Sequence, residues 1–188
     1  MVKSGNSKLS LFLMELIIAI LFFSLSAAVC LRLFVSAHSL AENAQNTSNA
    51  IKWSQSLAEV FYNQKGNPSE IASLFPDAFL TLSDDDADYL TGTVILVFDN
   101  EWNVTDEDLS SASYEAILET YPDKAKNVYA DITDYPVDIK GDAIVGHLAV
   151  LDIRNEESII SEIPSDPANI IYENSIDVYL GADCLKTN

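Results

Sequence analysis

Cysteine is nearly absent from this 188-residue chain, which has Cys30 inside an apolar run and Cys184 near the C-terminus. If the run crosses a bilayer the two cannot pair, so no disulfide framework holds the fold. Histidine is as scarce: His38 and His147 are too few for a histidine-built metal site. Phosphate loops, nucleophile elbows and zinc spacings are missing, so the sequence reads as a protein that is not an enzyme, with no catalytic residue, metal site or cofactor. Basic residues are few as well: beyond residue 35 there are 28 acidic against 7 basic side chains, in a chain of net charge -19. Such a surface repels nucleic acid and anionic lipid and keeps a domain soluble outside a membrane. Glycine and proline are absent between Gly5 and Gly66, so no residue there punctuates a helix.

What is present is a long apolar run, "LSLFLMELIIAILFFSLSAAVCLRLFV", from Leu9 to Val35. About 20 apolar residues cross a ~30 Å hydrocarbon core, and this run is longer. Lys3 and Lys8 precede it, which places the N-terminus in the cytoplasm and the acidic remainder outside by the positive-inside rule. A cleaved secretory signal ending at "VSA" before His38 is the rival, but the run far exceeds the ~7–15 apolar residues of a signal core. A lipidated Cys30 is disfavoured by Val29 before it. The anomaly is Glu15, because a carboxylate at membrane depth costs on the order of 2–3 kcal/mol unless it neutralises, snorkels or finds a partner. Snorkelling from one to two turns inside the span is the plain explanation. A positive group on a neighbouring chain is the functional one.

The stretch "LSLFLMELIIAILFFSLSAAV" resembles the N-terminus of type IV prepilins and of the pseudopilins of type II secretion: a short basic leader, a processing site, then an apolar helix whose fifth residue is glutamate. With Glu15 in that place, Leu11 is the first mature residue and Ser10 the last of the leader "MVKSGNSKLS". The resemblance implies a prepilin peptidase that cuts between Ser10 and Leu11 and methylates the new amino terminus. It also implies partners, other pilin-like subunits, whose amino termini face Glu15 as the helices bundle. Ser10 stands where that family has glycine, and Leu11 where it has phenylalanine or methionine.

After the span, apolar residues recur at Ala37, Leu40, Ala41, Ala44, Ile51, Leu57, Ala58 and Phe61, a helical stripe interrupted by Asn46 to Asn49. One helix to about Tyr62, roughly 80 Å long, is expected, with a bend at the polar patch left open. A short second helix follows in "GNPSEIASLF", with Asn67 as cap, Pro68 in the first turn and Glu70 completing a capping box. Strands are expected over "TVILVFD" (93–99), "NVYADITDY" (127–135) and "DAIVGHLAVLDI" (142–153), with "ASYEAILETY" (112–121) ambiguous and bounded by Pro122. The tail offers two weak edge strands, "ESIISEI" and "NIIYENSIDVYL". The fold class is therefore α+β: a long N-terminal transmembrane and amphipathic helix packed on a small antiparallel sheet. The divisions are a leader over 1–10, a spanning half over 11–35, an amphipathic half over 36–63, a head over 64–153 and an extension over 154–188.

"DNEWNVTDEDLS" (99–110) alternates acids and amides like a calcium loop, but Val104 stands where the turn needs glycine and Ser110 where a bidentate glutamate belongs. A hairpin turn with Trp102 packed inward is the simpler expectation. Asp84, Asp85, Asp86 and Asp88 read as a solvated loop, His147 as a half-buried strand residue, and Asn46 and Asn103 as chance glycosylation matches. Two functions stay open: a pilin-like structural subunit that assembles through its helix, with Glu15 setting register, or a single-pass tethered binding or sensor module.

Overall fold

The computed structural model describes residues 5–83, 90–105, 112–130, 139–156 and 158–181. The fold is α+β. Helix α1 spans Gly5–Asn63, α2 Pro68–Ser73 and α3 Ala125–Val128, and the strands are β1 Phe79–Leu82, β2 Gly92–Phe98, β3 Tyr114–Lys124, β4 Asp142–Asp152 and β5 Ile170–Gly181. The chain divides into two compact units, Met1–Gln45 and Asn46–Asn188. In the first, every side chain from Leu9 to Gln45 is exposed. That helix is long and apolar enough to cross a membrane.

In the second unit the strands form one sheet in the order β1-β2-β3-β4-β5. By that order each strand lies beside its neighbour in sequence, and every pair is antiparallel. Even-numbered residues of the central strands face α1. Val94, Leu96, Phe98, Ala116, Leu118, Ile144, Leu148 and Val150 bury against Ala50, Leu57 and Phe61. Asn46, Ala50, Ser54, Leu57 and Phe61 are the buried positions of α1, at spacings of three and four that keep them on one face. The expected stripe is corrected at its start: Ala37, Leu40, Ala41 and Ala44 are exposed, and the buried face opens with the polar Asn46. The helix does not break over Asn46–Asn49, because Asn46 has a buried partner in the sheet unit.

Where α1 stops, Lys65 and Gly66 take positive φ of 50° and 75°, and the Gly66 amide donates to Phe61 O at 2.9 Å. A Cβ on Gly66 would fall 2.6 Å from Ile144 Cγ2, so both the turn and the packing require glycine there. Helix α2 follows as expected: Pro68 opens it, and Asn67 Oδ1 accepts from the amides of Ser69 at 3.0 Å and Glu70 at 3.2 Å, which satisfies two free amides of the first turn.

Four further differences from the sequence reading have physical causes. Strand β1 was not anticipated; it is a short edge strand, largely exposed. The ambiguous run is a strand and continues through Pro122 to Lys124. Proline is tolerated because β2 pairing ends at Thr120 while β4 pairing goes on, leaving one side of β3 open at residue 122. The expected strand over 127–135 is corrected: Ala125–Val128 form α3, Tyr129 and Ala130 a turn, and Asp131 to Tyr135 lie outside the described residues. The alternation of Val128 and Ala130 with Tyr129 therefore reflected one helical turn. Finally, only the later tail segment is a strand. In "ESIISEI" Glu157 is outside the described residues, and the rest lies over the sheet instead: Ile159, Ile160 and Ile163 pack on Ile95, Val97, Ile117, Ala149, Leu151 and Ile153, the odd-numbered face.

Candidate functional site

Ser10, Leu11 and Glu15 lie on α1 with exposed side chains. The helix starts at Gly5, so the Ser10–Leu11 bond is inside it and has to unwind locally before a protease can bind it. Leu11 is one turn before Glu15; Ala19 is one turn after it, and Ile18 and Phe22 flank the same face. Ser24, the next polar group, satisfies itself by donating to Ile20 O at 2.8 Å. Glu15 is different: it is exposed and has no hydrogen bond or ion pair among the described residues. Arg32 lies 17 positions on, about 25 Å along the axis, beyond reach within one chain. A carboxylate on an otherwise apolar helical face can be satisfied from water at the membrane edge or from a positive group on another molecule.

The acidic stretch after β2 is a built turn. Asp99 Oδ1 accepts from the amides of Glu101 at 2.8 Å and Asn103 at 2.9 Å, and Oδ2 accepts from Asn103 Nδ2 at 3.0 Å. These bonds, the Asn103 side chain foremost, hold the Asp99 carboxyl below the usual range. The carboxylate is thus spent on its own loop, with Asp106 to Ser110 outside the described residues. Trp102 packs inward as expected, 8% exposed, at φ 66°. Its ring stacks on Tyr114 at 4.2 Å, and its Nε1 donates to Asn46 Oδ1 at 3.3 Å. Asn46 is therefore a buried anchor of the helix and not an accessible glycosylation site. Among the described residues no three His, Cys, Asp or Glu side chains gather; Asp84 to Asp88 and Cys184 lie outside them. His147 is half-buried, its Nε2 3.0 Å from Tyr121 Oη and its ring stacked on that tyrosine.

Sequence reasoning passed over Glu115. It is fully buried in β3 on the face covered by the tail. Oε2 accepts from the Ile160 amide at 3.0 Å, and Oε1 has no partner among the described residues. Burial pushes its carboxyl up to about 7, against the lowering effect of the Ile160 bond. Two repeats of the pleat further, Glu119 Oε1 accepts from the Ile163 amide at 2.8 Å. The signal was available: two acids four apart in "YEAILET" share one strand face, flanked by apolar residues. Beside Glu119 an open recess of about 420 Å³ is walled by Thr81, Thr93, Tyr121 and Glu162. Comparison of the chain with protein-family models, with characterised proteins and with solved structures gives no match.

Proposed function

We propose that this chain is a pilin-like or pseudopilin-like structural subunit, anchored by the apolar part of α1 and assembled with other such subunits through that helix. Glu15 carries the reading: an unpartnered carboxylate on an exposed apolar helix costs on the order of 2–3 kcal/mol in lipid, and a positive group on a neighbouring subunit offsets that cost. If a prepilin peptidase cuts between Ser10 and Leu11, the new amino terminus lies four residues before Glu15, about 6 Å along the axis. Neighbouring helices shifted by roughly one turn then bring amine and carboxylate together. In this reading Lys3 and Lys8 keep the N-terminus cytoplasmic, and the acidic sheet unit lies outside.

Replacing Glu15 with Gln removes the charge and keeps the shape. Membrane insertion stays intact or improves, while cross-linking between subunits in the native membrane is lost; unchanged cross-linking defeats the assembly role. Ser10, in place of the glycine of the resembled processing site, favours a second reading, a tethered binding or sensor module. The mass of the N-terminal peptide separates the two: a methylated peptide beginning at Leu11 identifies a processed subunit, and one beginning at Met1 an unprocessed anchor. A peptide beginning at His38 would identify the run as a secretion signal.

A further inference from the structure

The sheet has two buried faces made in different ways. One is closed by α1 with hydrophobic residues and a good helical repeat. The other is closed by the segment from Arg154 to Asn169, whose described residues form no α-helix or strand, only a turn at Arg154 and Asn155 and a 3-10 turn at Pro167–Asn169. Two carboxylates on β3 hold this segment by its backbone: Glu115 on the Ile160 amide and Glu119 on the Ile163 amide. Three isoleucines, Ile159, Ile160 and Ile163, supply its apolar contact. It is a strap fastened at two points.

Glu115 is the costly fastening. Its neighbours across the strands are Val97 on β2 and Leu151 on β4, and its side chain is fully buried. By register the other titratable groups on that face are Glu119, Tyr121 and Asp123 on β3, His147 on β4, and Glu173, Asp177 and Tyr179 on β5, with Glu156, Glu162 and Asp166 among the described residues of the strap itself. Arg154, the cation of the segment, is committed to Asp152 at 2.6 Å. Asp152 pairs with Tyr114, on the face toward α1. Among the described residues, then, nothing positive meets the Glu115 carboxylate, and one amide bond is all that holds a charge there. A buried ion so poorly paired destabilises whatever keeps water out. Lifting the strap breaks two backbone contacts and uncovers three isoleucines; hydrating Glu115 any other way means parting β2, β3 and β4.

We propose that the strap Arg154–Asn169 is a proton-controlled cover: it lies closed over the sheet while Glu115 is protonated and lifts when Glu115 ionises, baring the apolar strip of Ile95, Val97, Ile117, Ala149 and Leu151. The sign follows from where the proton is held. The closed state keeps the proton up to about pH 7, and a solvated carboxyl loses it near 4.5. Closure is therefore most favoured below pH 4.5. Its opening constant rises about tenfold per pH unit between those values, roughly 300-fold in all, and then levels. This inference does not depend on whether α1 assembles.

The test is amide hydrogen exchange on the full chain in detergent between pH 4.5 and 8.5, corrected for the intrinsic pH dependence of exchange. The expected result is that Ile160 and Ile163 lose protection as pH rises toward 7 and level above it, while amides of β3 and β4 keep theirs. In Glu115→Gln, which cannot ionise, protection of Ile160 and Ile163 becomes flat with pH. Equal protection of the two amides at both ends of the range in the wild-type chain overturns the proposal. So does loss shared equally by the strap and the central strands, or an undiminished pH response in Glu115→Gln. The wild-type comparison of strap with strands decides the matter even if the variant folds poorly.

Discussion

Replacing Gly146 with alanine measures how closely α1 is seated on the sheet. A Cβ there would stand 2.9 Å from Phe61 Cε2, 2.9 Å from Ile176 Cγ1 and 3.3 Å from Leu118 Cδ1. Phe61 and Leu118 are fully buried, and Ile176 is 5% exposed, so none of the three can swing into solvent. Two effects oppose each other. Alanine relieves the entropic cost of glycine within a strand by about 0.5–1 kcal/mol, and overpacking of a closed core costs about 1–3 kcal/mol. At the middle of these ranges the steric loss wins, for a net destabilisation of about 1 kcal/mol. For a chain of this size that lowers the melting temperature by about 2–4 °C per kcal/mol. Unfolding of the full chain in mild detergent, followed by the fluorescence of Trp53 and Trp102, reads it. Phe61→Leu removes the ring edge that the new methyl group meets. Alone it costs about 1–2 kcal/mol as a cavity, and in its background the cost of Gly146→Ala should fall by about half, a coupling of about 0.5 kcal/mol, because the approach to Ile176 Cγ1 remains. A Gly146→Ala chain as stable as wild type, or the same loss with and without Phe61, would refute the account of how the helix is held.

Two other substitutions probe the elements around that contact. Asn46→Ala leaves the Trp102 indole N–H buried without its acceptor and should cost about 1–3 kcal/mol, less about 0.5 kcal/mol regained in helix propensity; a lower urea midpoint checks it, and no change would show the 3.3 Å bond to be idle. Asn67→Ala removes the cap of α2 and should cost about 1 kcal/mol, again read from the midpoint, with hydrogen exchange of Ser69 and Glu70 rising first.

Much of the architecture was legible because local rules and the fold agree. The want of glycine and proline up to Gly66 announced α1, the Asn67-Pro68 pair announced α2, and the β-branched runs announced β2 and β4. What failed did so where tertiary contacts overrule local pattern. Val128 to Ala130 alternate like a strand but follow a helical turn, and Pro122 looked like a stop because the sequence cannot say that β2 has already ended. Asn46 was read as a weak point of the helix, when its amide is the acceptor that a tryptophan 56 positions later requires. Glu15 stood out from composition alone, since a charge in an apolar run is visible without a fold. Glu115 did not, because its burial depends on a tail segment that looks like an edge strand and instead lies across the sheet.

The neighbour-to-neighbour order of the five strands sets a timetable for folding. Synthesis delivers the apolar stripe Ala50, Leu57 and Phe61 before any strand exists to cover it, and chains fold N-terminal parts first as they emerge. Because every strand pairs with the one before it, each new strand can add directly to the last; the connections after β2, β3 and β4 are long, but closure entropy grows only slowly with loop length, and no pairing has to wait for a strand made later. Yet the seat for Phe61 includes Gly146 in β4, the fourth of the five strands. A nascent chain that stops short of β4 therefore carries a finished helix with its docking ring still uncovered, and that interval is when the protein most needs protection from aggregation.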